Sequence, residues 1–471
     1  MRVIFIIPPF GLMKDNGKIK QKMGFLPYLG LASIATILKN EGHSIKILDL
    51  QVKNMPLDAI IMEIKKFNAD IVGFSVTSPL ITVVEEIAQR IKKELNLPII
   101  CGGPHISIFP AKVLQDNISF DYSVIGEGEF IVKDLINSIE TGKTLDKIEG
   151  IAYRSNSRIK TNHGYGMVAD LDKLPIPSRE FFELEKYTPC PQQYFRFPTT
   201  NMITSRGCAY GRCTFCFGMS KCQFRRRSTD ITIEEIKYLQ DKYKIKDIVF
   251  WDNEFVVGDK WVNEFCNKLH REKIDITWSC YARANFVNKN ILKIMADAGC
   301  WNVYYGLESG NQDLLDNISK GITLQQTRDA IKWTSEAGME SRGAFILGLP
   351  GETPLKGKQT IDFAISLGLD YAQFSFATPY PGTKFYDTSS KYGKILSTDY
   401  SKMTLEHPVF LPNGYKDISQ LIELRKVAYR RFYMNPSYFL LRLKKLRRTE
   451  DFRRYVKGIQ YLIADKLFKS N

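Results

Sequence analysis

Three cysteines lie close together near the middle of the chain, in the segment Arg206-Gly207-Cys208-Ala209-Tyr210-Gly211-Arg212-Cys213-Thr214-Phe215-Cys216. Three thiols on a polar, glycine-containing loop do not look like core residues. Three thiolates can bind three irons of a cubane [4Fe–4S] cluster and leave the fourth iron open for another ligand. An electron-transfer cluster is normally fully ligated, so three cysteines rather than four indicate a cluster that binds a second molecule.

The same residues could instead form a zinc site completed by Cys222. The resulting spacing, Cys-x4-Cys-x2-Cys-x5-Cys, is not one of the common spacings of zinc sites. The remaining cysteines are scattered, and without a secretory signal they do not suggest a disulfide scaffold. A zinc-stabilised binding protein is kept as the non-enzymatic alternative.

Residues 1–149 alternate strand-like and helix-like segments. Short buried strands joined by amphipathic helical crossovers predict a doubly wound parallel sheet. Several of the predicted strands end in small or turn-forming residues, and ligands of open α/β sheets bind outside the carboxyl ends of the strands. The expected strands are the apolar runs Val3–Ile7, Ser44–Leu48, Ile71–Val76, Ile99–Cys101 and Ser123–Ile125.

A strand–helix unit recurs about six times between residues 196 and 400, which predicts a partial (β/α)6 barrel with its chemistry on the loops after the strands. Residues 150–195 are expected to be a linker that contains a hairpin, and residues 401–471 a helical, basic C-terminal region. The predicted fold class is therefore α/β, with a doubly wound sheet, a partial barrel and a helical tail. The expected barrel strands are Asn201–Thr204, Asp247–Trp251, Ile276–Tyr281, Asn302–Gly306, Gly343–Leu347 and Tyr371–Ala377.

The cysteine loop resembles the cluster loop of the radical S-adenosylmethionine superfamily, whose usual spacing is Cys-x3-Cys-x2-Cys. One extra residue, which we interpret as Gly211, separates the first two cysteines here, and glycine is sterically the easiest insertion to absorb. The resemblance implies a [4Fe–4S] cluster bound by Cys208, Cys213 and Cys216, with S-adenosylmethionine on the open iron. Later strand ends match the superfamily in order. Together with the aromatic residue of the cysteine loop, they imply S-adenosylmethionine contacts at Phe215, Asp252, Asn253, Glu254, Glu308, Ser309, Ile346 and Gly348.

The order of the two domains resembles the subgroup of this superfamily that carries an N-terminal cobalamin (B12)-binding domain, which includes the anaerobic magnesium-protoporphyrin ester cyclase and cobalamin-dependent methyltransferases. Small residues at strand ends let the backbone approach a flat macrocycle. The Asp-x-His-x-x-Gly pattern of other cobalamin domains is absent, so cobalamin is expected without that histidine ligand. The alternative is an α/β module that binds no corrin. The implied cobalamin contacts are Pro9, Ser75, Gly102, Gly103, His105, Gly126 and Glu127.

The resemblance therefore implies a cobalamin-dependent radical S-adenosylmethionine enzyme, most simply a methyltransferase that acts on an unactivated carbon of an unknown substrate. A radical cyclase, oxidase or rearrangement enzyme without net methylation is the alternative. Methylthiolation of tRNA would need a second cysteine trio in the N-terminal domain, where only Cys101 lies, so we reject it. No catalytic side chain is identifiable, and the family implies a reducing electron donor such as flavodoxin or ferredoxin.

The net charge of +15 is concentrated at the C-terminus, where residues 416–471 contain 15 Lys and Arg against 5 Asp and Glu. This amphipathic tail could rest on an anionic membrane surface or cap the barrel. Similar tails in the subgroup hint at a hydrophobic, lipid- or tetrapyrrole-like small-molecule substrate, and no nucleic-acid-binding module is visible. Without a signal peptide or an apolar run of membrane-spanning length, a cytoplasmic and at most membrane-peripheral protein is expected.

Overall fold

The computed structural model describes residues 1–9, 24–53, 55–156, 158–217, 223–445 and 456, with the backbone alone at 443–445. The chain divides into two compact units. The first contains residues 1–188 together with 399–401, and the second contains residues 189–398 and 402–471. The predicted fold class, an α/β protein with a doubly wound sheet, a partial barrel and a helical tail, is confirmed.

The first unit is built on one sheet whose described strands are β1 (Arg2–Ile7), β2 (Ser44–Asp49), β3 (Ile71–Ser75), β4 (Ile99–Gly102), β5 (Tyr122–Val124), β6 (Ile151–Ser155) and β7 (Arg158–Thr161). Its helices are α1 (Leu29–Asn40), α2 (Leu57–Phe67), α3 (Ile81–Leu95), α4 (Pro104–Ile108), α5 (Pro110–Asp116) and α6 (Glu129–Thr141). The strands lie in the order β2-β1-β3-β4-β5-β6-β7. Strands β1 to β5 are parallel, and the hairpin of β6 and β7 extends the sheet with two antiparallel strands.

Helices cover both faces of this sheet. Alternate residues of a strand point to opposite sides, so each strand contributes side chains to both layers of helices. In β1, Ile4 and Ile6 pack in an apolar cluster with residues of α2 and α3. Val3 and Phe5 of the same strand pack in a second cluster with residues of α1 and α6. A parallel sheet buried on both faces is the doubly wound arrangement, and it leaves the loops after the strands as the exposed edge.

Among its described residues, the second unit contains a six-stranded parallel sheet that does not close and two pairs of short strands outside that sheet. Its described strands are β8 (Thr199–Met202), β9 (Ser205–Arg206), β10 (Arg225–Arg226), β11 (Asp247–Phe250), β12 (Thr277–Ala282), β13 (Cys300–Glu308), β14 (Glu340–Leu347), β15 (Tyr371–Phe376), β16 (Gly393–Ile395) and β17 (Phe410–Pro412). Its helices are α7 (Thr229–Tyr243), α8 (Asp259–Arg271), α9 (Lys289–Asp297), α10 (Gln312–Asn317), α11 (Leu324–Glu336), α12 (Pro354–Ser366), α13 (Lys384–Tyr392), α14 (Ile418–Tyr433) and α15 (Pro436–Lys445). The six parallel strands lie in the order β15-β14-β13-β12-β11-β8, so β8 and β15 are the two edges of a partial barrel.

Toward the carboxyl end of β13, residues alternate between a buried outer face and a partly exposed inner face. In β13, Val303, Tyr305 and Leu307 are buried, whereas Tyr304 and Gly306 keep part of their surface exposed. The outer set packs beneath the helices, and Tyr305 Oη lies 2.8 Å from Oγ1 of Thr334 in α11. The inner face is therefore the side of the sheet that a ligand can reach.

Helix α14 covers the edge strand β15. Tyr433 Oη accepts a hydrogen bond from Ala372 N (3.1 Å), and Tyr429 Oη accepts one from Phe374 N (3.2 Å). Arg425 Nε donates to Phe374 O at 2.9 Å. An exposed strand edge invites unwanted pairing with other chains, so this part of the tail takes the place of a further strand.

The tail therefore caps the barrel, which is one of the two roles that its composition suggests. Arg442 of α15 is buried and pairs with Asp370 at 2.6 Å. Contact with a membrane stays a prediction, and all of the basic residues after 445 lie outside the described residues. In the described part of the chain, no helix combines the length and the apolar character needed to cross a bilayer.

Candidate cluster and cofactor sites

The cysteine loop follows β8 and β9 at the carboxyl end of the barrel sheet. Its backbone is tied to neighbouring loops, since Thr214 N donates to Ile318 O (3.0 Å) and Phe385 N donates to Thr214 O (2.8 Å). Gly211 adopts a left-handed conformation with φ of +61°, which glycine reaches without strain. The residue that we interpret as the insertion is therefore accommodated by a turn within the loop.

The three thiols of this loop are half-buried and lie close enough to influence one another. Burial, followed by the charges of Cys213 and Cys208, raises the pKa of Cys216 to about 12. Burial also raises the pKa of Cys213, against the opposing effect of the cations Lys320 and Arg283. Thiols with raised pKa values are protonated when free, and iron must displace the protons to bind them.

The loop fits an iron–sulfur cluster by its donor set and by a backbone amide directed at sulfur. Gly211 N donates to Cys208 Sγ at 3.3 Å, and such hydrogen bonds tune clusters in proteins. Three thiolates would offset the positive charge of an iron–sulfur core, and the nearby cations Lys320 and Arg283 would offset the negative charge of the thiolates. Among the described residues, no three His, Cys, Asp or Glu side chains are arranged to hold a single metal ion. Cys222, on which the zinc alternative depends, lies outside the described residues.

Asp252 connects the second barrel strand to the base of the cysteine loop. Its side chain is buried, and Oδ1 accepts hydrogen bonds from Thr204 N (3.0 Å), Thr204 Oγ1 (2.9 Å) and Ser205 Oγ. Burial raises the pKa of this carboxyl. Asp252 thus positions the chain just before the loop, and its buried place lies behind the loop rather than at an open surface.

The next two residues reach the cysteine loop itself. Asn253 Nδ2 donates to Gly207 O at 3.1 Å, and Cys208 Sγ donates to Glu254 Oε1 at 3.2 Å. Glu254 is buried, which raises its pKa, and its Oε2 has no hydrogen-bond partner among the described residues. The sequence placed these residues together, and the structure brings them to the first cysteine.

Glu308 and Ser309 follow β13 and have different surroundings. Glu308 has φ of +62° at a register shift of the sheet, and its Oε1 lies 2.6 Å from Lys320 Nζ, with both side chains buried. Ser309 is also buried, with Oγ 3.1 Å from Thr360 Oγ1 of α12. The strained glutamate presents a charged group near the cysteines, whereas the serine secures the loop to a helix.

Phe215 and Ile346 share an apolar surface. Both are partly buried against the cluster of Leu314, Ile318, Leu349, Ala377, Phe385 and Phe410. The family resemblance implies S-adenosylmethionine contacts for both, and the structure places both against the same apolar cluster. A flat apolar ring could be held there between side chains.

Gly348 is held in a loop that a buried carboxyl anchors. Its N–H donates to Glu352 Oε1 at 2.7 Å, and the same oxygen accepts a hydrogen bond from Tyr415 Oη. Burial raises the pKa of Glu352 to about 7, against the opposing effect of the hydrogen bonds from Tyr415 and Gly348. Glu352 therefore fixes the segment after β14 from beneath.

Arg283 is a site residue that the sequence analysis missed. Its guanidinium stacks on the ring of Tyr210 at 3.9 Å from the centroid, and Nη1 lies 3.9 Å from Cys213 Sγ. Nε is 3.6 Å from Glu254 Oε1, and Nη2 donates to Lys320 O. Arg283 directly follows the third barrel strand. Its position at the carboxyl end of a strand is the sequence feature from which its place in the site could have been predicted.

The arginine run after the cysteine loop is used inside the unit. Arg226 donates to Phe255 O (2.6 Å) and Val257 O (3.0 Å) and stacks on Trp261 at 4.5 Å. Arg227 forms a buried ion pair with Glu235. Arg226 braces the loop that carries Glu254.

The predicted cobalamin residues gather at the carboxyl edge of the first sheet. Gly103 and Gly126 have φ of +98° and +87°, and a Cβ on either would come within 2.8 Å or 2.5 Å of backbone atoms. Ser75 Oγ donates to Tyr28 Oη at 3.2 Å, and Glu127 Oε2 accepts from Val168 N at 2.7 Å. Gly102 is half-buried beside them, and Pro9 is buried at the end of β1. An edge of small residues fits a flat macrocycle that rests on backbone.

His105 is buried in the first unit rather than presented at its edge. Nδ1 lies 3.0 Å from Ser78 Oγ, and the ring packs edge-on against Phe109 and Tyr400 at 5.4 Å and 4.9 Å. Burial lowers its pKa to about 4, so the imidazole is neutral at physiological pH. The contact of His105 with cobalamin stays a prediction.

Comparisons with known proteins match both halves of the chain. Residues 23–136 match the B12-binding domain family, and residues 202–364 match the radical SAM superfamily. An uncharacterized methyltransferase of Pyrococcus horikoshii is 33% identical over 448 residues, covering 93% of this chain and 94% of the relative. The anaerobic magnesium-protoporphyrin IX monomethyl ester cyclase of Rubrivivax gelatinosus is 27% identical, covering 97% and 81%.

A solved structure shows the same fold. The radical S-adenosylmethionine methyltransferase TsrM from Kitasatospora setae, with cobalamin and a [4Fe–4S] cluster bound, superposes with a TM-score of 0.73. The match covers 98% of this chain and 99% of that one, at 18% sequence identity.

Proposed function

The chain belongs to the radical S-adenosylmethionine superfamily, in the subgroup with an N-terminal B12-binding domain, and on this premise we propose that it methylates an unactivated carbon of a small molecule. It is a radical S-adenosylmethionine enzyme whose cofactors are a [4Fe–4S] cluster, S-adenosylmethionine and cobalamin. The observation that carries the proposal is the pairing, in one chain, of a B12-binding domain with a barrel that bears three cysteines on one loop.

When bound, the cluster and S-adenosylmethionine would supply radical removal of hydrogen from carbon, and cobalamin would supply methyl transfer. Cys208, Cys213 and Cys216 would hold the cluster. Glu254 and Glu308, each beside a cation, would orient the amino and ribose groups of S-adenosylmethionine.

The apolar surface of Phe215 and Ile346 would exclude water from the adenine. Gly103 and Gly126 would allow the loops at the edge of the first sheet, against which the corrin would rest, to pack closely on neighbouring backbone. No side chain is assigned to proton transfer, because hydrogen removal by a radical needs none.

Sequence similarity over nearly the full length favours the methyltransferase reading, since the relative that is 33% identical is described as a methyltransferase. The 27% identical cyclase supports a second candidate, an oxidative cyclisation without methyl transfer. The two candidates differ in the mass of the product, since only methylation adds a methyl group.

The test uses the full chain reconstituted anaerobically with iron, sulfide and hydroxocobalamin, and reduced by flavodoxin or dithionite. It is given S-adenosylmethionine with a deuterated methyl group and small-molecule extracts. We expect 5′-deoxyadenosine, S-adenosylhomocysteine and a product that has gained the deuterated methyl group. If 5′-deoxyadenosine forms together with a product that carries no deuterated methyl group, the result would contradict methylation and support cyclisation or oxidation. No 5′-deoxyadenosine with any extract would contradict the radical reaction.

A further inference from the structure

A row of three side chains crosses the inner face of the barrel sheet. In the register of the parallel strands, Tyr281 of β12 lies beside Tyr304 of β13, and Tyr304 lies beside Arg342 of β14. The two tyrosine rings are 4.9 Å apart in an edge-to-face arrangement, and the guanidinium lies 4.8 Å from the Tyr304 ring. Both tyrosines are half-buried, whereas Arg342 is buried.

Arg342 is buried without a counter-ion. Its exposed fraction is 4%, and Nε donates to Asn302 Oδ1 at 2.8 Å. Its Nη2 is buried and has no hydrogen-bond partner, and no ion pair joins it to any carboxylate in the described part of the chain. A buried charge without a partner is costly, which makes this arrangement unfavourable unless something else supplies an anion.

Other buried cations of the same unit are paired. Lys320 lies 2.6 Å from Glu308, and Arg442 lies 2.6 Å from Asp370. Arg342 therefore differs from these buried cations, because no carboxylate pairs with it among the described residues.

Unused donors continue into the neighbouring row. Asn302 Nδ2 and Ser279 Oγ are buried and have no hydrogen-bond partner among the described residues. The two residues are neighbours in the register of β12 and β13. Asn302 is bonded to Arg342 and Ser279 lies next to Asn302, so the two unused donors extend the row of polar groups that an anion could bind.

We propose that Arg342 binds an anionic group of the substrate inside the barrel, so that the substrate of this enzyme is a small organic anion bearing a carboxylate or phosphate. The planar guanidinium suits either group. Tyr281 and Tyr304 would flank the adjoining part of the substrate with aromatic surface. The inference rests on the proposed function, since it assigns the substrate class of that site.

The position of Arg342 along β14 separates it from the residues expected to hold S-adenosylmethionine. Ile346 lies four residues further along the same strand and on the same face, roughly 13 Å away at the rise of a β-strand. An anionic group held at Arg342 would therefore leave the rest of the substrate extended toward the cysteine end of the barrel.

The test measures binding of three probes to the reconstituted full chain by saturation-transfer NMR under anaerobic conditions, without turnover. The probes are benzoate, phenyl phosphate and the neutral isostere benzamide. We expect the wild type to bind one or both anions and to bind benzamide far more weakly. R342M should weaken anion binding by about tenfold or more, which is the loss of one buried charged partner. R342K keeps the charge without the planar fork and should fall between the two.

The matched control is R328M. Arg328 also stacks on an aromatic ring, at 4.7 Å from Phe363, and donates one hydrogen bond to Ser366, but it lies exposed on α11. Its loss should leave probe binding unchanged. Melting temperature and iron content of each variant show whether it is folded and loaded, and R342K carries the test if R342M is not.

Three results of the probe measurements would overturn the inference. They are failure of the wild type to bind either anion, equal binding of benzamide, and anion binding by R342M at wild-type strength. A loss of S-adenosylmethionine affinity in R342M larger than the loss of probe affinity would place the cofactor's own carboxylate at Arg342 and would also overturn it. Failure of the proposed function is seen separately, as absence of 5′-deoxyadenosine from the wild type.

Discussion

The two candidate cofactor sites of this protein are built in opposite ways. At the carboxyl end of the barrel, the site consists of reactive and charged side chains in contact, such as Cys208 with Glu254 and Glu308 with Lys320. An iron cluster is bound through a few specific atoms, so its site needs specific side chains at defined places.

At the carboxyl edge of the first sheet, the important feature is the absence of side chains. Gly103 and Gly126 hold backbone conformations in which a Cβ would meet neighbouring backbone. A macrocycle offers a broad surface, so its site needs room and close backbone approach more than charge. This difference predicts that the barrel site is disrupted when a functional group is removed. The site at the first sheet is instead disrupted when side-chain atoms are added.

The largest effect is expected from removing a cluster ligand. C213A leaves two thiols on the loop, and we expect it to lose the cluster and all formation of 5′-deoxyadenosine. Iron and sulfide content and the absorption of the reconstituted protein measure this. C190A is the matched control, since Cys190 is also partly exposed but lies outside the loop. A C213A protein with full iron content would break the comparison at the barrel.

The next effect is expected from adding a methyl group to the first sheet. In G126A, the new Cβ would lie 2.5 Å from Gly166 O at φ of +87°, and we expect a loss of at least about 2 kcal/mol in unfolding free energy together with weaker cobalamin binding. Denaturant unfolding and retained cobalamin measure the two effects.

G142A serves as the control, because Gly142 also has positive φ (+66°) but a Cβ there meets nothing within 4 Å. Its cost should be about 1 kcal/mol, from backbone strain alone. Equal losses in the two variants would show that crowding at the sheet edge is unimportant.

A smaller effect is expected from the cation beside the cysteines. R283Q removes a positive charge 3.9 Å from Cys213 Sγ, which should shift the reduction potential of the bound cluster to a more negative value. R283K keeps the charge and should lie nearer the wild type. Potentiometric titration followed by EPR measures the shift, and an unchanged potential in R283Q would assign Arg283 to loop structure only.

The last prediction concerns the pH dependence of stability and the buried carboxyl of Glu352. Its folded pKa of about 7 lies above the ordinary value of 4.5, so the folded state binds more protons than the unfolded state between those values. Wild-type stability should therefore fall as pH rises through this window, by up to about 3 kcal/mol, and stay at the lower level above pH 7. E352Q should show no such fall in anaerobic thermal melts from pH 5 to pH 8. A wild type with flat stability over this range would contradict the buried, protonated carboxyl.

The strands were largely predictable, because each is a short apolar run whose ends are marked by turn residues. Asp247–Trp251 and Tyr371–Ala377 each differ from the observed strand by one residue at the carboxyl end. The hairpin after residue 150 was also predicted, but its membership in the first sheet was not. Strand pairing between distant segments depends on register and packing, which local patterns do not contain.

The roles of charged residues were less predictable from the sequence than the strands were. Arg225 to Arg227 stood out in the sequence as a run, yet Arg226 bonds to backbone carbonyls and Arg227 to Glu235. Arg283 and Arg342 are isolated in the sequence and went unnoticed. A charge run is visible in one dimension, whereas an isolated charge acquires its role only from what folds against it.

The sequence by itself determined the chemistry of the barrel, since three cysteines with strand-end motifs in order are chemical signals that survive without coordinates. Tertiary structure alone decided which polar groups are paired and which are left over. Tyr429 and Tyr433 complete a strand edge, Lys320 neutralises Glu308, and Arg342 remains buried without an anion. Pairing is a property of contacts between segments far apart in the chain, and burial makes each pairing, or its absence, energetically decisive.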